Sequence, residues 1–471
     1  MSVSIAVERY LPSPGHAAAM RDVVVTAGAD GPVVAANGAN GTAGTGLLAL
    51  PAPVNAHDHG YGIRPYDFGA LDDALEAWIP FMRLRPPSDP YLEALVAFGR
   101  IAASGCGATM HCHNSLNLAT LVDEAGGVVR AARDVGIRLG LSCPLLDASP
   151  FVYGGLPGLL PGLSAEDRAR VEALAPTYAP IDEQLAAVDA IASAHGSAVV
   201  DVQYGPIGPQ WASDALLEAV AEASARTGRR IHMHLLESPR QRAWLDRRFP
   251  QGVVKFLDGI GFLSPRLAVA HGVQLRPDEC ELLAERGVVL ASNPSANLRL
   301  RSGVAPVASV RAAGLSCAIG LDGTGLDDDQ DIWREMRLFR LLHGGRGLQP
   351  AIPTAEIFDA AIRSGAAVVN QPPAADLVVV DYAALLEDAM FDDLDEAELL
   401  LGRMTARHVR GLVVGGRPVV QDGRLVTVDF DAARRELVAQ ARASALKSGG
   451  RRDDARFLAD MVRRHYAGDA G

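Results

Sequence analysis

Residues 198–237, AVVDVQYGPIGPQWASDALLEAVAEASARTGRRIHMHLLE, contain the pattern that decides the fold of this chain. An apolar run at 198–205 is followed by a helical pattern at 213–228, and a second apolar run occupies 230–237. The helical pattern ends in a glycine, which is typical of helix C-termini. The stretch therefore predicts a buried strand, a helix and a second buried strand, which is the repeating unit of parallel sheets.

The same alternation extends through residues 52–370. Its eight apolar runs are PAPVNAH, ATMHCHN, IRLGLSC, AVVDVQYG, RIHMHLLE, LAVAHGV, GVVLASN and CAIGLDG. Eight strands that alternate with helices predict an α/β fold, a (β/α)8 TIM barrel with insertions, over residues 51–372. A doubly wound sheet is the alternative. The barrel is favoured because six of the eight runs end in chemically reactive side chains, as the catalytic rim of a barrel requires.

The two ends of the chain return to short β-like runs. Residues 1–50 and 373–430 both contain such runs, and we expect them to form one small β-sandwich beside the barrel. Helical patterns follow in residues 431–471, and these patterns predict a C-terminal helical tail.

The composition argues against several classes of protein. The chain has 471 residues, of which 49% are hydrophobic, and its formal net charge is −12. That charge favours neither nucleic acid nor an anionic membrane as a partner. We expect no signal peptide and no transmembrane helix, because the N-terminus lacks the required pattern and no apolar stretch reaches about 20 residues. The five cysteines are scattered, which suits a reducing cytoplasm.

Three of the predicted strands carry a His-x-His pair. The pairs are His57/His59, His111/His113 and His232/His234. A further histidine, His271, and an isolated acid, Asp322, end two later strands. Residues i and i+2 of a strand point to the same face, so each pair can aim two imidazoles into one space. Imidazole and carboxylate ligands suit zinc or another divalent metal.

Five stretches resemble the amidohydrolase superfamily, and specifically its branch of cytosine deaminases, guanine deaminases and triazine hydrolases. They are LPAPVNAHDHG, IHMHLLES, VAHGV, SNPSANLRLRSGVAPV and IGLDGTGLDDDQDIWREMR, in the order of the family. The resemblance implies four metal ligands, which are His57, His59, His234 and Asp322. The two-metal members bridge their ions with a lysine on an inner strand, and no lysine of this chain precedes Lys255. We therefore expect one divalent ion, with zinc as first choice and iron as second.

The resemblance also implies roles for residues around the metal. Glu237 is expected to act as general base and then as general acid. His271 is expected to hydrogen-bond the attacking water or to polarise the substrate carbonyl. Asp322 is expected to relay a proton to the leaving group as well as to bind the metal. Gln203 ends the fourth strand, where an amide can pair with the edge of a heterocycle, and we expect it to contact the substrate.

The pair His111/His113 allows two interpretations. This branch of the superfamily has no obligatory ligand on the second strand, so the pair either packs in a layer of the barrel or approaches the substrate. His113 is nearer to the C-terminal end of the strand, and we assign it to substrate binding. A second metal site at this pair would lack a bridging group. For His232, one layer below His234, we expect a hydrogen-bonded interior histidine.

The resemblance implies a metal-dependent hydrolase. The favoured reaction is attack of activated water on a ring carbon of a nitrogen heterocycle, with release of ammonia or an amine. The alternative is hydrolytic opening of a cyclic amide, as in relatives of imidazolonepropionase, because the same ligands serve both reactions. A non-catalytic homologue is a remote alternative, since all the implied ligands are present. The expected partner is a small heterocyclic substrate, and the family leads us to expect a homodimer or larger homo-oligomer.

Overall fold

The computed structural model describes residues 2–29, 31–36, 45–115, 117–323, 329–372, 375–391, 393–446 and 450–467. Within this part of the chain, sixteen strands form two sheets of eight. The strands are β1 (Val3–Tyr10), β2 (Met20–Gly28), β3 (Gly31–Ala36), β4 (Leu47–Pro51), β5 (Val54–Asp58), β6 (Ala108–Cys112), β7 (Arg138–Leu145), β8 (Val200–Pro206), β9 (Ile231–Leu235), β10 (Leu267–His271), β11 (Val289–Ser292), β12 (Ser316–Ile319), β13 (Leu377–Asp381), β14 (Val409–Val414), β15 (Arg417–Gln421) and β16 (Arg424–Leu425).

Strands β5–β12 form the predicted barrel. They are hydrogen-bonded in sequence order, and the ladders between them are parallel. The backbone nitrogen of Asp322, just after β12, donates to the carbonyl oxygen of His57 in β5 at 2.8 Å, so the last strand meets the first. The barrel is therefore confirmed. The doubly wound alternative is wrong, because that fold places its strands out of sequence order.

Helices connect these strands and cover the barrel. They are α1 (Pro65–Phe68), α2 (Leu75–Trp78), α3 (Pro90–Ala103), α4 (Leu118–Val135), α5 (Leu156–Leu159), α6 (Ala165–Leu174), α7 (Ile181–His195), α8 (Asp214–Thr227), α9 (Pro239–Arg248), α10 (Val253–Gly259), α11 (Pro277–Glu285), α12 (Pro294–Arg299), α13 (Val307–Ala312), α14 (Ile332–His343), α15 (Thr354–Asp359), α16 (Gly365–Val368), α17 (Tyr382–Leu386), α18 (Glu396–Arg403), α19 (Phe430–Leu446) and α20 (Arg451–His465). Side chains cap several of them: Ser213 accepts a hydrogen bond from the backbone of Leu216 in α8.

The barrel wall separates two apolar clusters. Met233 and Leu235 of β9 belong to the large outer core between strands and helices. Ala108 and Cys112 of β6 belong to a smaller interior cluster, which also contains Val368 of α16. The interior cluster also contains Val54 and Val289, which are the first residues of β5 and β11. Because α16 packs against the beginnings of strands, it closes the N-terminal end of the barrel. The C-terminal end is left free for polar side chains, as is usual in such barrels.

Both ends of the chain contribute to the other sheet. β1 pairs with β2 in antiparallel and with β4 in parallel orientation, and β4 pairs with β13, which follows the barrel. The strand order is β16-β15-β14-β13-β4-β1-β2-β3. A separate sheet built from both chain ends is therefore confirmed. The domain boundaries at residues 50, 373 and 430 stay a prediction, and residues 373–374 lie outside the described part of the chain.

The C-terminal helices pack back onto the rest of the molecule. α19 lies against α3, and α20 lies against α2 and the 3-10 helix Ile79–Leu84. Met461 and Val462 of α20 and the following Tyr466 share an apolar cluster with Tyr153, which follows β7. Among the described residues, no helix has the length and apolar character needed to cross a bilayer.

Candidate metal centre

Four side chains at the C-terminal rim of the barrel converge on one point. His57 lies in β5 and His59 directly after it, His234 lies in β9, and Asp322 follows β12. The Nε2 atoms of His59 and His234 are 3.2 Å apart. Oδ1 of Asp322 lies 3.2 Å from Nε2 of His57 and 3.3 Å from Nε2 of His59. The structure thus brings together the four side chains that were predicted as metal ligands.

The spacing of these atoms fits a shared metal ion. Tetrahedral ligands placed about 2 Å from zinc lie about 3.3 Å from one another. Nε2 of His57 is buried, and it has no hydrogen-bond partner among the described residues although Asp322 is close. A cation at the common point would satisfy this nitrogen. The donor set therefore fits a divalent metal of the zinc type.

Hydrogen bonds hold the other ring nitrogen of the ligand histidines. Nδ1 of His59 lies 2.9 Å from Oδ1 of Asn114. Nδ1 of His234 donates to the carbonyl oxygen of Ile207 at 2.7 Å. A hydrogen bond at Nδ1 sets the tautomer and turns the lone pair of Nε2 towards the metal position. Both rings are therefore preorganised as ligands.

His232 supports the centre from one layer deeper in the barrel. Its Nε2 lies 2.8 Å from Nδ1 of His57, and the two rings are nearly coplanar, with their centroids 5.1 Å apart. Burial lowers the pKa of His57 to about 4 and keeps the pKa of His234 well below its ordinary value. The imidazoles are neutral near pH 7, and neutral imidazole is the form that binds a metal.

The backbone is strained at three strand ends of this rim. Leu236, His271 and Asp322 have φ values of 51°, 72° and 55°, although none of them is glycine. Such left-handed conformations cost about 1–3 kcal/mol each, and they persist only where the surrounding contacts determine them. They occur where β9, β10 and β12 turn into the loops that carry the site.

Glu237 and His271 face each other beside the four converging side chains. Oε2 of Glu237 lies 3.7 Å from Nε2 of His271. Nδ1 of His271 lies 2.9 Å from Oδ1 of Asn297, which orients the ring. Burial raises the pKa of Glu237 to about 7. A carboxyl group with that pKa can both accept and donate a proton near neutral pH.

A cavity of about 370 Å³ opens at these residues. His59, His234, Glu237, His271 and Asp322 contribute to its lining. Much of the remaining wall is apolar or aromatic and includes Trp78, Ile79, Leu146, Phe151, Tyr178 and Trp211. An apolar cavity with a few convergent polar groups is typical of a small-molecule site.

His111, the first histidine of the β6 pair, faces away from the barrel interior. The ring of His111 packs edge-on against Phe98 of α3 at a centroid distance of 5.5 Å, whereas the neighbouring Cys112 belongs to the interior cluster. His111 is therefore not a barrel-layer residue. His113 follows the strand, lies 3.1 Å from Oε2 of Glu124 through its Nε2, and lines the cavity. Its position is compatible with the predicted substrate contact.

Gln203 is not among the described residues that line this cavity. Its side chain is fully buried, and Nε2 donates to the Asp201 carboxylate at 2.8 Å and to the carbonyl oxygen of Val368 at 2.9 Å. Val368 belongs to α16, which closes the opposite end of the barrel. The expected substrate contact of Gln203 is therefore wrong, because the strand places this amide in a deeper layer.

Several residues of the site were not found from the sequence. Asn114 directly follows the HCH motif, so its position after a strand end was an available signal. Tyr61 lines the cavity and stacks on His59 at a centroid distance of 5.8 Å. Trp78 and Phe151 lie in insertions that follow β5 and β7, and no local pattern marks them as wall residues.

Curated relatives of this chain include deaminases. A 5-methylthioadenosine/S-adenosylhomocysteine deaminase of Nitratidesulfovibrio vulgaris is 35% identical over 221 residues, which are 45% of this chain and 49% of that protein. An 8-oxoguanine deaminase of Pseudomonas aeruginosa is 27% identical over 417 residues, which are 84% of this chain and 87% of that protein. The chain spans about half the length of several curated relatives that it matches, the first of these two among them.

Solved structures and a family model place the fold. An adenosine deaminase from Xanthomonas campestris with bound zinc has a TM-score of 0.75 at 22% identity, covering 96% of this chain and 98% of that one. A mutant atrazine chlorohydrolase from Arthrobacter aurescens, complexed with zinc and atraton, has a TM-score of 0.76 at 20% identity, covering 93% and 99%. The model of the Amidohydrolase family matches residues 48–419. Because this match covers most of the chain, the protein belongs to the amidohydrolase family.

Proposed function

We propose that this protein is a metal-dependent aminohydrolase that releases ammonia or an amine from a ring carbon of a nitrogen heterocycle. The observation that carries the proposal is the convergence of three imidazoles and a carboxylate, at metal-ligand spacing, beside the buried Glu237. The cavity at this point has the size of a small-molecule site. Both curated relatives described above are named as deaminases, which supports the same type of reaction.

The proposed ligands of a single divalent ion are His57, His59, His234 and Asp322. A divalent ion held by these residues would activate water, because it would lower the pKa of that water towards about 7 and so make a nucleophile available at neutral pH. Zinc is the first choice, since the two solved structures described above contain zinc. Ferrous iron is the second, because the same ligands suit it. A single ion is proposed because no lysine precedes Lys255 to bridge two.

Glu237 is the proposed proton carrier. Its carboxylate is buried at the cavity, and its Oε1 has no hydrogen-bond partner among the described residues. In the ionised form this group can take a proton from the attacking water. It can then deliver that proton to a ring nitrogen or to the leaving amine. With a pKa of about 7, both of its protonation states are accessible in neutral solution.

His271 and Asp322 are proposed to assist at the reacting atoms. The contact with Asn297 turns Nε2 of His271 towards Glu237 and the cavity. A hydrogen bond from this nitrogen can orient the attacking water or stabilise a developing negative charge. Asp322 lines the same cavity, and we propose that it relays a proton to the leaving group besides binding the metal.

His113 is the proposed substrate contact. Its Nε2 contacts Glu124 at 3.1 Å and its Nδ1 lies 3.3 Å from Nε2 of His111, so we propose that a heteroatom of the substrate replaces the longer contact with His111. Aromatic side chains in the wall, such as Trp78 and Tyr178, favour a flat ring. Purine, pyrimidine, pterin and triazine-like rings are all compatible with this site.

The test is ammonia release by the zinc-loaded protein from a panel of amino-substituted heterocycles, with ultraviolet spectra recorded in parallel. We expect ammonia together with an intact, shifted ring spectrum. Loss of the ring chromophore without ammonia would instead identify a ring-opening hydrolase. Glu237→Gln should keep its metal and lose at least about 100-fold in turnover, and full activity in this variant would contradict the role of Glu237.

We also propose a cytoplasmic location and a homo-oligomeric state. The five cysteines are free thiols, which suits a reducing compartment. The family resemblance supports an assembly of two or more subunits. Light scattering coupled to size-exclusion chromatography tests the assembly, and a mass of 49.5 kDa, that of one chain, would contradict it.

A further inference from the structure

Glu76 is a buried carboxylate that the chemistry described above does not use. It lies in α2, between β5 and α3, and only 4% of it is exposed. Removal of a carboxylate from water is costly unless other groups compensate the charge. The contacts of this side chain therefore indicate what it does.

Two hydroxyl groups and a guanidinium compensate the Glu76 carboxylate. The Tyr153 hydroxyl donates to Oε1 at 2.8 Å, and the Ser238 hydroxyl donates to the same oxygen. Nη1 of Arg240 lies 3.5 Å from Oε2. Tyr153 follows β7, whereas Ser238 and Arg240 follow β9. One carboxylate thus joins three segments that are far apart in the sequence.

Ser238 connects this carboxylate to Glu237, its neighbour in the chain. The Ser238 hydroxyl donates to Glu76 and also accepts from the backbone nitrogen of Gln241 at 3.1 Å. The side-chain oxygen of Gln241 accepts in turn from the backbone nitrogen of Glu237 at 2.8 Å. A chain of hydrogen bonds therefore runs from the Glu76 carboxylate to the backbone of Glu237.

The turn that carries Glu237 needs such support because its backbone is strained. Leu236, the residue directly before it, has a φ of 51° and a fully buried side chain. A non-glycine residue keeps this conformation only where its surroundings determine it. Without a tether, the turn would relax towards ordinary backbone angles and move the carboxylate away from His271, which now lies 3.7 Å from it.

We propose that Glu76 is a positioning residue that holds the Glu237 turn through Ser238 and Gln241. The inference rests on the proposed role of Glu237 as proton carrier. Among the described residues, Glu237 lines the cavity and Glu76 does not. Replacement of Glu76 should therefore lower turnover with little change in substrate binding.

The C-terminal segment supports this arrangement from outside the barrel. The backbone nitrogen of Tyr153 donates to the Tyr466 hydroxyl at 2.9 Å, and the two rings lie 5.9 Å apart. Tyr466 follows α20, whereas the family match ends at residue 419. The position of Tyr153, and with it the contact to Glu76, thus depends on a segment beyond the matched region.

The test compares Glu76→Ala with Glu76→Gln in the zinc-loaded protein, with the heterocycle that releases ammonia fastest as substrate. Glutamine keeps an oxygen that accepts from both hydroxyls, and alanine removes it. We expect Glu76→Ala to lower kcat roughly 10-fold to 100-fold with KM changed less than about threefold. Glu76→Gln should recover most of this loss. Asp67→Asn, at an exposed acid of α1, is the control and should leave kcat unchanged.

Hydrogen–deuterium exchange over residues 235–242 provides a readout that needs no substrate. Glu76→Ala should speed the exchange of these amides, whereas Glu76→Gln and the control should not. If Glu76→Ala does not fold, Tyr153→Phe takes its place, since it removes one of the two hydroxyl donors and should give a smaller change of the same kind. Unchanged exchange or unchanged kcat in the folded variant overturns the proposal.

Glu237→Gln separates this proposal from the proposed function. If Glu237→Gln loses turnover while Glu76→Ala keeps normal turnover and exchange, the positioning role of Glu76 alone is overturned. If Glu237→Gln keeps full turnover, the proposed function is overturned and this inference with it.

Discussion

The histidine pairs of β9 and β6 have the same spacing, but their first members, His232 and His111, face opposite sides of the barrel wall. In β9, Met233 packs in the outer core, so His232 and His234 point inward. In β6, Cys112 belongs to the interior cluster, and His111 points outward to α3. A shift of one residue in the phase of a strand turns all its side chains to the other face. A His-x-His pair therefore indicates a metal site only when it is also known which face of its strand points into the barrel.

The strand face on which the histidines lie also decides how the two members of each pair divide their roles. In β9 the upper histidine, His234, reaches the ligand cluster, and the lower one, His232, holds His57. In β6 the lower histidine, His111, packs against a helix, and His113 reaches the cavity only from beyond the strand end. This division agrees with the proposed roles, in which the first pair binds and orients a metal and the second shapes the surroundings of a substrate.

Alanine at the upper histidine of each pair should give the largest difference in zinc content. His234→Ala removes one proposed ligand, and we expect less than one zinc per chain and a loss of activity greater than about 100-fold. His113→Ala should keep its zinc, because His113 is not part of the clusters that could hold a metal among the described residues. Elemental analysis of the zinc-loaded proteins measures the difference. Equal loss of zinc in both variants would contradict the comparison.

Alanine at the lower histidine of each pair should affect the metal affinity of the protein differently. His232→Ala removes the partner of Nδ1 of His57, and outer partners of this kind contribute about 10-fold to 100-fold in metal affinity. His111→Ala should leave the affinity unchanged but lower the free energy of unfolding by about 1–3 kcal/mol, because it opens a cavity beside Phe98. Chelator competition and chemical denaturation measure the two quantities. An unchanged zinc affinity in His232→Ala would remove its supporting role.

Glu237, beside the β9 pair, and Glu124, beside the β6 pair, should be protonated in different pH ranges. Burial raises the pKa of Glu237 to about 7. Burial acts in the same direction on Glu124, but hydrogen bonds with His113 and Thr120 outweigh it and lower the pKa of Glu124 to about 2. The stabilising effect of ionised Glu124 is therefore complete above its ordinary pKa and is lost as the pH falls towards about 2.

The rate should consequently follow Glu237 and not Glu124 in mildly acidic solution. Only ionised Glu237 accepts a proton, so kcat/KM should fall below a pH of about 7, by up to about tenfold for each pH unit. A pH–rate profile of the zinc-loaded protein measures this dependence. A rate that stays level from about pH 7 down to about pH 5 would show that the group has another pKa or another role.

His113→Asn, together with Glu124→Gln at its partner, should give the smallest effects. Loss of one hydrogen bond to the substrate is expected to raise KM by about 3-fold to 10-fold, with kcat and zinc content nearly unchanged. Glu124→Gln weakens the orientation of the same ring and should raise KM less. Steady-state kinetics with the best heterocycle compares both variants. A large fall in kcat with constant KM would instead place His113 at the reacting atoms.

Local patterns explain why the barrel and the convergence of the candidate ligand residues could be predicted. Alternation of apolar runs and helical segments depends on neighbours in the chain, and the i, i+2 spacing of a strand sets which side chains share a face. The layer of the barrel in which a side chain lies does not depend on its neighbours in the chain alone. Gln203 was expected at the rim, but its amide binds the backbone of Val368 in a lower layer. That contact depends on α16, which lies 165 residues further along the chain.

By itself, the sequence determined the repeated strand and helix units and the strand ends that carry His57, His59, His234 and Asp322. The outward orientation of His111 and the contact of Glu76 with Ser238, 162 residues later in the chain, follow instead from the way the chain packs. The reason is physical. Periodicity along one strand relates a side chain to its near neighbours, whereas its face and depth follow from closure of the barrel and from the helices that pack on either side.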